Sequence, residues 1–108
     1  MQIGISTATL FGRKQTEGAL EFFAQNKIQC AEVFLESFCE YNDEFGKLLN
    51  SVRRDVNVHS VHTLTTQFEP QLYSVNKRAQ EDSFKLLDMA MSCGEKVNAK
   101  YYTFHGGA

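Results

Sequence analysis

The sequence predicts an α/β fold built on a parallel sheet. Three observations carry that expectation. Short β-branched or aromatic segments alternate with longer stretches of helical periodicity, and the alternation runs through the whole chain. One proline and seven glycines in 108 residues leave little room for a linker. Strands that alternate with helices are joined by right-handed crossovers, which makes the sheet parallel and lays the helices against it. A content of 43% hydrophobic and 22% charged residues suits a single globular unit.

The elements follow in order. Residues 2–6 (QIGIS) alternate β-branched positions and read as the first strand, broken by Ser-Thr-Ala-Thr. Residues 16–26 (TEGALEFFAQN) set Ala19, Leu20, Phe22 and Phe23 at helical spacing, with Thr16 as the expected N-cap. Residues 30–36 (CAEVFLE) form the second strand. Residues 42–52 (NDEFGKLLNSV) gather Phe45, Leu48, Leu49 and Val52 on one helical face, and the acidic start suits the helix dipole. Residues 57–62 (NVHSVH) are the third strand, and a polar connection over 63–72 holds Pro70. The longest helix is expected from 74 to 93, with Val75, Ala79, Phe84, Leu87, Ala90 and Met91 along one stripe. Gly94 is its expected stop, with a helical tail through Val97 as the alternative. Residues 101–105 (YYTFH) are the fourth strand, before Gly106-Gly107-Ala108. Phe22, Phe23, Phe45 and Phe84 are expected in the core.

Several function classes fall away. No apolar run approaches the ~18–20 residues of a membrane span, and residues 1–10 lack the basic start and long apolar stretch of a signal peptide. A net charge of −2 is a poor basis for nucleic-acid binding, which a basic patch usually announces. Cys30, Cys39 and Cys93 include no CxxC pair and are odd in number, so they are expected to be reduced, mostly buried thiols of a cytoplasmic protein. The first strand-to-helix turn, Ile5-Ser6-Thr7-Ala8-Thr9, matches neither GxGxxG nor a phosphate loop.

With nucleotide folds set aside, a (β/α) barrel is the expected architecture, and its chemistry sits at the C-terminal ends of the strands. Those ends are Ser6, Glu36, His62 and His105. Residues two apart share a face, so Val58, Ser60 and His62 are expected to point one way and His59 to the helix layer. In the fourth strand Tyr101, Thr103 and His105 share a face. Neighbouring strands lie roughly 4.8 Å apart, so His62 and His105 could reach one metal ion. Glu36 is placed as a further ligand or a substrate contact, and Glu32 lies deeper on the same face.

The segments IGIST, CAEVFLES, VHSVHT and YYTFHGG resemble the first four strands of the xylose isomerase-like TIM barrels, and together they span the chain. The most specific piece is Thr103-Phe104-His105-Gly106-Gly107, which resembles the family's hydrophobic-His-x-Gly signature. The resemblance implies a metal-dependent sugar or sugar phosphate isomerase or epimerase. It implies a divalent ion (zinc, manganese or magnesium), with His62 and His105 as metal ligands and Glu36 and His105 as catalytic groups. A zinc-dependent abasic-site phosphodiesterase of the endonuclease IV type is the alternative branch. That branch carries a first-strand His where this chain has Ser6-Thr7, and it follows the third-strand His with Tyr and Asn rather than Thr63-Leu64-Thr65-Thr66-Gln67.

A complete barrel takes about 200–250 residues. The chain is therefore expected to be the N-terminal half of one, with four strands and three helices over residues 1–108. It is expected to be inactive alone, and either to form a homo-oligomer or to lack its C-terminal half. A non-enzymatic half-barrel assembly module is the third expectation.

Overall fold

Four strands pair in chain order, β1 (Ile5–Ser6), β2 (Cys30–Leu35), β3 (Asn57–Thr63) and β4 (Tyr101–Tyr102), and every pairing is parallel. Among the described residues three helices run between them, α1 (Thr16–Gln25), α2 (Asp43–Val52) and α3 (Lys77–Lys96), with short 3₁₀ turns at Thr7–Leu10, Phe38–Glu40 and Glu69–Tyr73. This computed structural model describes residues 2–64 and 68–105. The expected Gly106-Gly107-Ala108 end and Thr65-Thr66-Gln67 lie outside the described residues. The α/β class, the four parallel strands and the three helices agree with the order expected from the sequence.

All three helices lie on one face of the sheet. Leu20 and Phe23 of α1, Leu49 of α2, and Ala90 and Cys93 of α3 share one buried cluster with Ala31, Val33, Leu35, Val58 and Val61 of the strands. Each large aliphatic side chain buried in this way stabilises the fold by roughly 1.5–3 kcal/mol. A doubly wound sheet would carry helices on both faces. Sequential parallel strands with a single helical layer are compatible with half of a (β/α) barrel.

Local chemistry explains where the elements depart from expectation. Gln15, not Thr16, stands at the N-cap of α1 and makes no side-chain cap. The Thr16 hydroxyl instead donates to Glu40 Oε2 at 2.8 Å. At α2 the cap is Asn42, whose side chain accepts from the Phe45 N–H at 2.7 Å. Gly94 does not stop α3, which continues to Lys96. A Cβ on Gly94 would stand 2.8 Å from Val61 Cγ2, so the glycine lets the helix approach the sheet.

The same closeness narrows the expected stripe of α3. Ala90 is buried and Ala79 and Leu87 are half-buried, but Phe84 and Met91 are exposed. Val75 lies exposed before the helix begins at Lys77, and the other buried residues are the small Ser83, Cys93 and Gly94. Of the expected core phenylalanines, Phe23 is buried and Phe45 packs at the margin, but Phe22 and Phe84 face outward. Of the three free thiols only Cys93 is buried; Cys30 is half-buried and Cys39 is exposed. Among the described residues no helix is long and apolar enough to cross a membrane.

Candidate functional site

Opposite the helices, the sheet presents a polar face, and its register decides which side chains meet. Glu32 pairs with Ser60, and Ser60 with Tyr101, while Phe34 pairs with His62. Between the Ala31–Val58 and Glu32–Ser60 pairs the register shifts by one residue, leaving His59 as the extra residue of a bulge. A bulge resets the side-chain alternation. Val58 therefore joins the core with Val61, and His59 stacks on Tyr101 with ring centroids 4.9 Å apart. The expectation that His59 faces the helix layer is corrected by this one extra residue.

Glu32 is the hub of the open face. Its Oε2 accepts from Ser60 Oγ at 2.5 Å and from Thr103 Oγ1 at 2.5 Å, and its Oε1 stands 3.4 Å from His62 Nε2. Burial pushes this carboxyl up, but the two hydroxyl donors and the positive charge available on His62 and His59 outweigh it and hold the pKa below the ordinary value. His62 packs its ring on Phe34, with centroids 4.7 Å apart. Burial lowers the His62 pKa and the neighbouring His105 adds to that, against the opposing pull of Glu32. Its Nδ1 is sealed from solvent without a hydrogen-bond partner among the described residues.

A second carboxylate organises the end of β4. Glu69, 1% exposed, enters from the 3₁₀ turn after β3. Its Oε1 accepts from Tyr102 Oη at 2.8 Å, and Thr63 Oγ1 stands 3.3 Å from Oε1 and 2.9 Å from Tyr102 Oη. Its Oε2 lies 3.1 Å from both the backbone N–H and the ring Nδ1 of His105. Burial pushes the Tyr102 phenol up, so its hydroxyl stays a donor to this carboxylate. The His62 and His105 rings face each other with centroids 6.1 Å apart.

The structure thus brings the two expected histidines together, each beside a carboxylate, although the expected strand over 101–105 pairs only at Tyr101–Tyr102 and His105 follows it by three residues. Glu36 takes no part in these two carboxylate–histidine pairs. It follows the end of β2 beside Phe11 and Lys14 of the turn into α1, and its N–H donates to Glu40 Oε1 at 2.6 Å. Burial and the nearby Glu17 raise its pKa. The Ser6 hydroxyl accepts from the Ala8 N–H at 3.1 Å, capping the first 3₁₀ turn. Glu69 is the functional candidate absent from the sequence reading. It sits in a polar connection without periodicity, and only its place one residue before Pro70 marks it.

Among the described residues no three His, Cys, Asp or Glu side chains form a group able to hold a metal ion. The pair Glu32 and His62 gives one oxygen and one nitrogen, short of the four donors of a structural zinc site. These two donors would leave the other positions of a divalent ion to be filled by further groups. No family model, no curated protein and no solved structure matches the chain.

Proposed function

We propose that the chain forms the first half of a xylose isomerase-like barrel of the sugar isomerase and epimerase kind, working in the cytoplasm. One observation carries this proposal: His62 near the end of β3 and His105 three residues past β4 bring their rings to a centroid distance of 6.1 Å, and each stands beside a carboxylate. Binding sites of parallel barrels gather at this end of the sheet. Glu32, Ser60 and Thr103 add a carboxylate and two hydroxyls on the same face, a set of acceptors and donors suited to the hydroxyls of a sugar or sugar phosphate.

In this site His105 receives a hydrogen bond from a substrate hydroxyl, and His62 with Glu32 forms the polar wall beneath it. A divalent ion would need donors from outside these residues. So would the base that removes a proton next to a carbonyl, and the chain alone is therefore expected to bind without turnover. The outer edges of β1 and β4 are free of strand partners among the described residues. Such edges invite further strands, and we take the sheet to be completed by a second half, in the same polypeptide or in a second copy.

Titrating the ¹⁵N-labelled chain with a pentose phosphate, with and without Mn²⁺, tests the proposal. Shifts confined to the amides of His62, Thr103 and His105, lost in His105→Ala, are expected. An unchanged spectrum at these residues overturns the sugar site.

A further inference from the structure

We infer that Glu69 is a positioning residue that fixes the neutral tautomer of His105 and so presents Nε2 as an unprotonated acceptor on the exposed side of the ring. The inference rests on His105 being a group of the proposed sugar site. It adds which nitrogen of that residue meets the ligand, and what decides it.

Glu69 is 1% exposed, so its carboxylate oxygens must find their donors within the protein. The Tyr102 hydroxyl donates to Oε1 and the backbone N–H of His105 to Oε2, while Thr63, 3.3 Å from Oε1, lies nearer to Tyr102 Oη at 2.9 Å. An ionised carboxylate only accepts. The carboxylate has no proton to give, so its 3.1 Å contact with the ring is met by a proton on His105 Nδ1. A neutral imidazole carries one proton, so Nε2 is left as a lone pair. The His105 side chain is 44% exposed while Glu69 is enclosed, which leaves the far side of the ring for a ligand.

The contrast with His62 sharpens this. There the nitrogen beside a carboxylate is Nε2, 3.4 Å from Glu32 Oε1, and the other nitrogen is sealed in the protein without a partner. A buried lone acceptor costs less than a buried charged ring, so His62 offers neither nitrogen freely. The acceptor for a ligand hydroxyl is His105 Nε2, and a carboxylate bonded to the other ring nitrogen is what fixes such a tautomer.

Long-range ¹H–¹⁵N correlation on the labelled full chain at mildly alkaline pH, without any ligand, reads the tautomer directly. The His105 signals are assigned by their loss in His105→Gln. Wild type is expected to show Nδ1–H and an unprotonated Nε2. Glu69→Gln is expected to keep that pattern. The His105 backbone N–H can only donate, so the amide oxygen turns to His105 and the amide NH₂ to the hydroxyls of Tyr102 and Thr63. Glu69→Ala is expected to shift the ring toward the Nε2–H form that a free imidazole favours. A wild-type ring in the Nε2–H form overturns the inference, as does a Glu69→Ala ring that keeps Nδ1–H. If Glu69→Ala does not fold, the wild-type and Glu69→Gln spectra decide. Failure of the sugar titration leaves this measurement untouched, so the two proposals fail separately.

Discussion

At the residue scale, polar groups that depend on one carboxylate make the sharpest predictions. Removing the Glu32 carboxylate leaves the Ser60 and Thr103 hydroxyls without their acceptor and His62 without its charge partner. Glu32→Ala is expected to cost about 1–3 kcal/mol, read from urea unfolding, with Glu32→Gln recovering part of it through its one remaining oxygen.

Glu40 makes a prediction of opposite electrostatic sign. It is buried between Thr16 and the Glu36 N–H, and burial raises its pKa above the ordinary 4.5, with Glu36 and Glu17 adding to the rise. A carboxyl raised in this way binds its proton more tightly when folded, so stability is fullest below 4.5 and is lost as pH rises through the folded value. Glu40→Gln can keep both contacts, its oxygen accepting from Glu36 and its NH₂ donating to Thr16 Oγ1. The stability of the variant relative to wild type is therefore expected to rise between about pH 4.5 and neutrality in urea titrations.

His62 and His105 were legible as site candidates because each closes a short β-rich run, and parallel strands put such ends side by side. Glu69 was not, since a single carboxylate in an aperiodic connection looks like any solvated residue until the fold brings Tyr102 and His105 to it. His59 was misplaced for a different reason: a bulge has no signature in an alternating segment.

At the element scale, helix-to-sheet and helix-to-helix distances rest on glycine. A Cβ at Gly46 would lie 2.4 Å from the Cys93 carbonyl oxygen, and one at Gly94 would lie 2.8 Å from Val61 Cγ2. Gly46→Ala and Gly94→Ala are each expected to destabilise by about 1–3 kcal/mol despite better helix propensity. Gly18 in α1 meets nothing nearer than Lys14 Cβ at 3.9 Å, so Gly18→Ala is expected to stabilise by about 0.4–1 kcal/mol. Thermal or urea unfolding of the three variants separates the cases. This close approach is also why the buried face of α3 was misread. Large apolar residues were expected to mark it, whereas a helix held near a sheet needs small ones.

The turns that lead from helix back to strand share one device. Lys27, Arg54 and Asn98 adopt φ values of 58°, 49° and 64°, and each stands third before the first residue of the next strand. After α1 and α3 the next N–H reaches back into the helix, Ile28 to the Phe23 carbonyl and Ala99 to that of Gly94, both at 3.0 Å. Left-handed backbone costs an ordinary L-residue roughly 1–2 kcal/mol. Lys27→Gly and Arg54→Gly are therefore expected to stabilise by about 0.5–1 kcal/mol once the extra chain entropy of glycine is subtracted. Asn98→Gly should gain less, because asparagine tolerates this conformation.

At the scale of the whole molecule, the strand–helix order was readable because the hydrophobic period switches six times along the chain without ambiguity. The one-sided layering emerged only with the packing. The outer strands and the residues beside them expose apolar side chains, Ile5 with Ile3 before it at one edge and Tyr101 with Phe104 after it at the other. If a second copy completes the sheet, the chain sediments as a dimer, and a charge on an edge blocks that pairing. Tyr101→Lys is then expected to weaken association at least about tenfold, roughly 1.4 kcal/mol, in sedimentation equilibrium.

The shortness of β4 has a kinetic consequence. Only Tyr101 and Tyr102 pair within the sheet, and the attachment is completed by the Lys100 and Thr103 N–H groups on the His59 and Val61 carbonyls, the Thr103 hydroxyl on Glu32, the stacking of His59 on Tyr101, and Glu69. Releasing this strand strips the buried Glu69 carboxylate of its Tyr102 and His105 partners, which couples the strand to the turn that carries it. The last strand and the Glu69–Tyr73 turn should then open as one unit in native-state hydrogen exchange, with the Thr103 and His105 amides sharing a single opening free energy below that of β2 and β3.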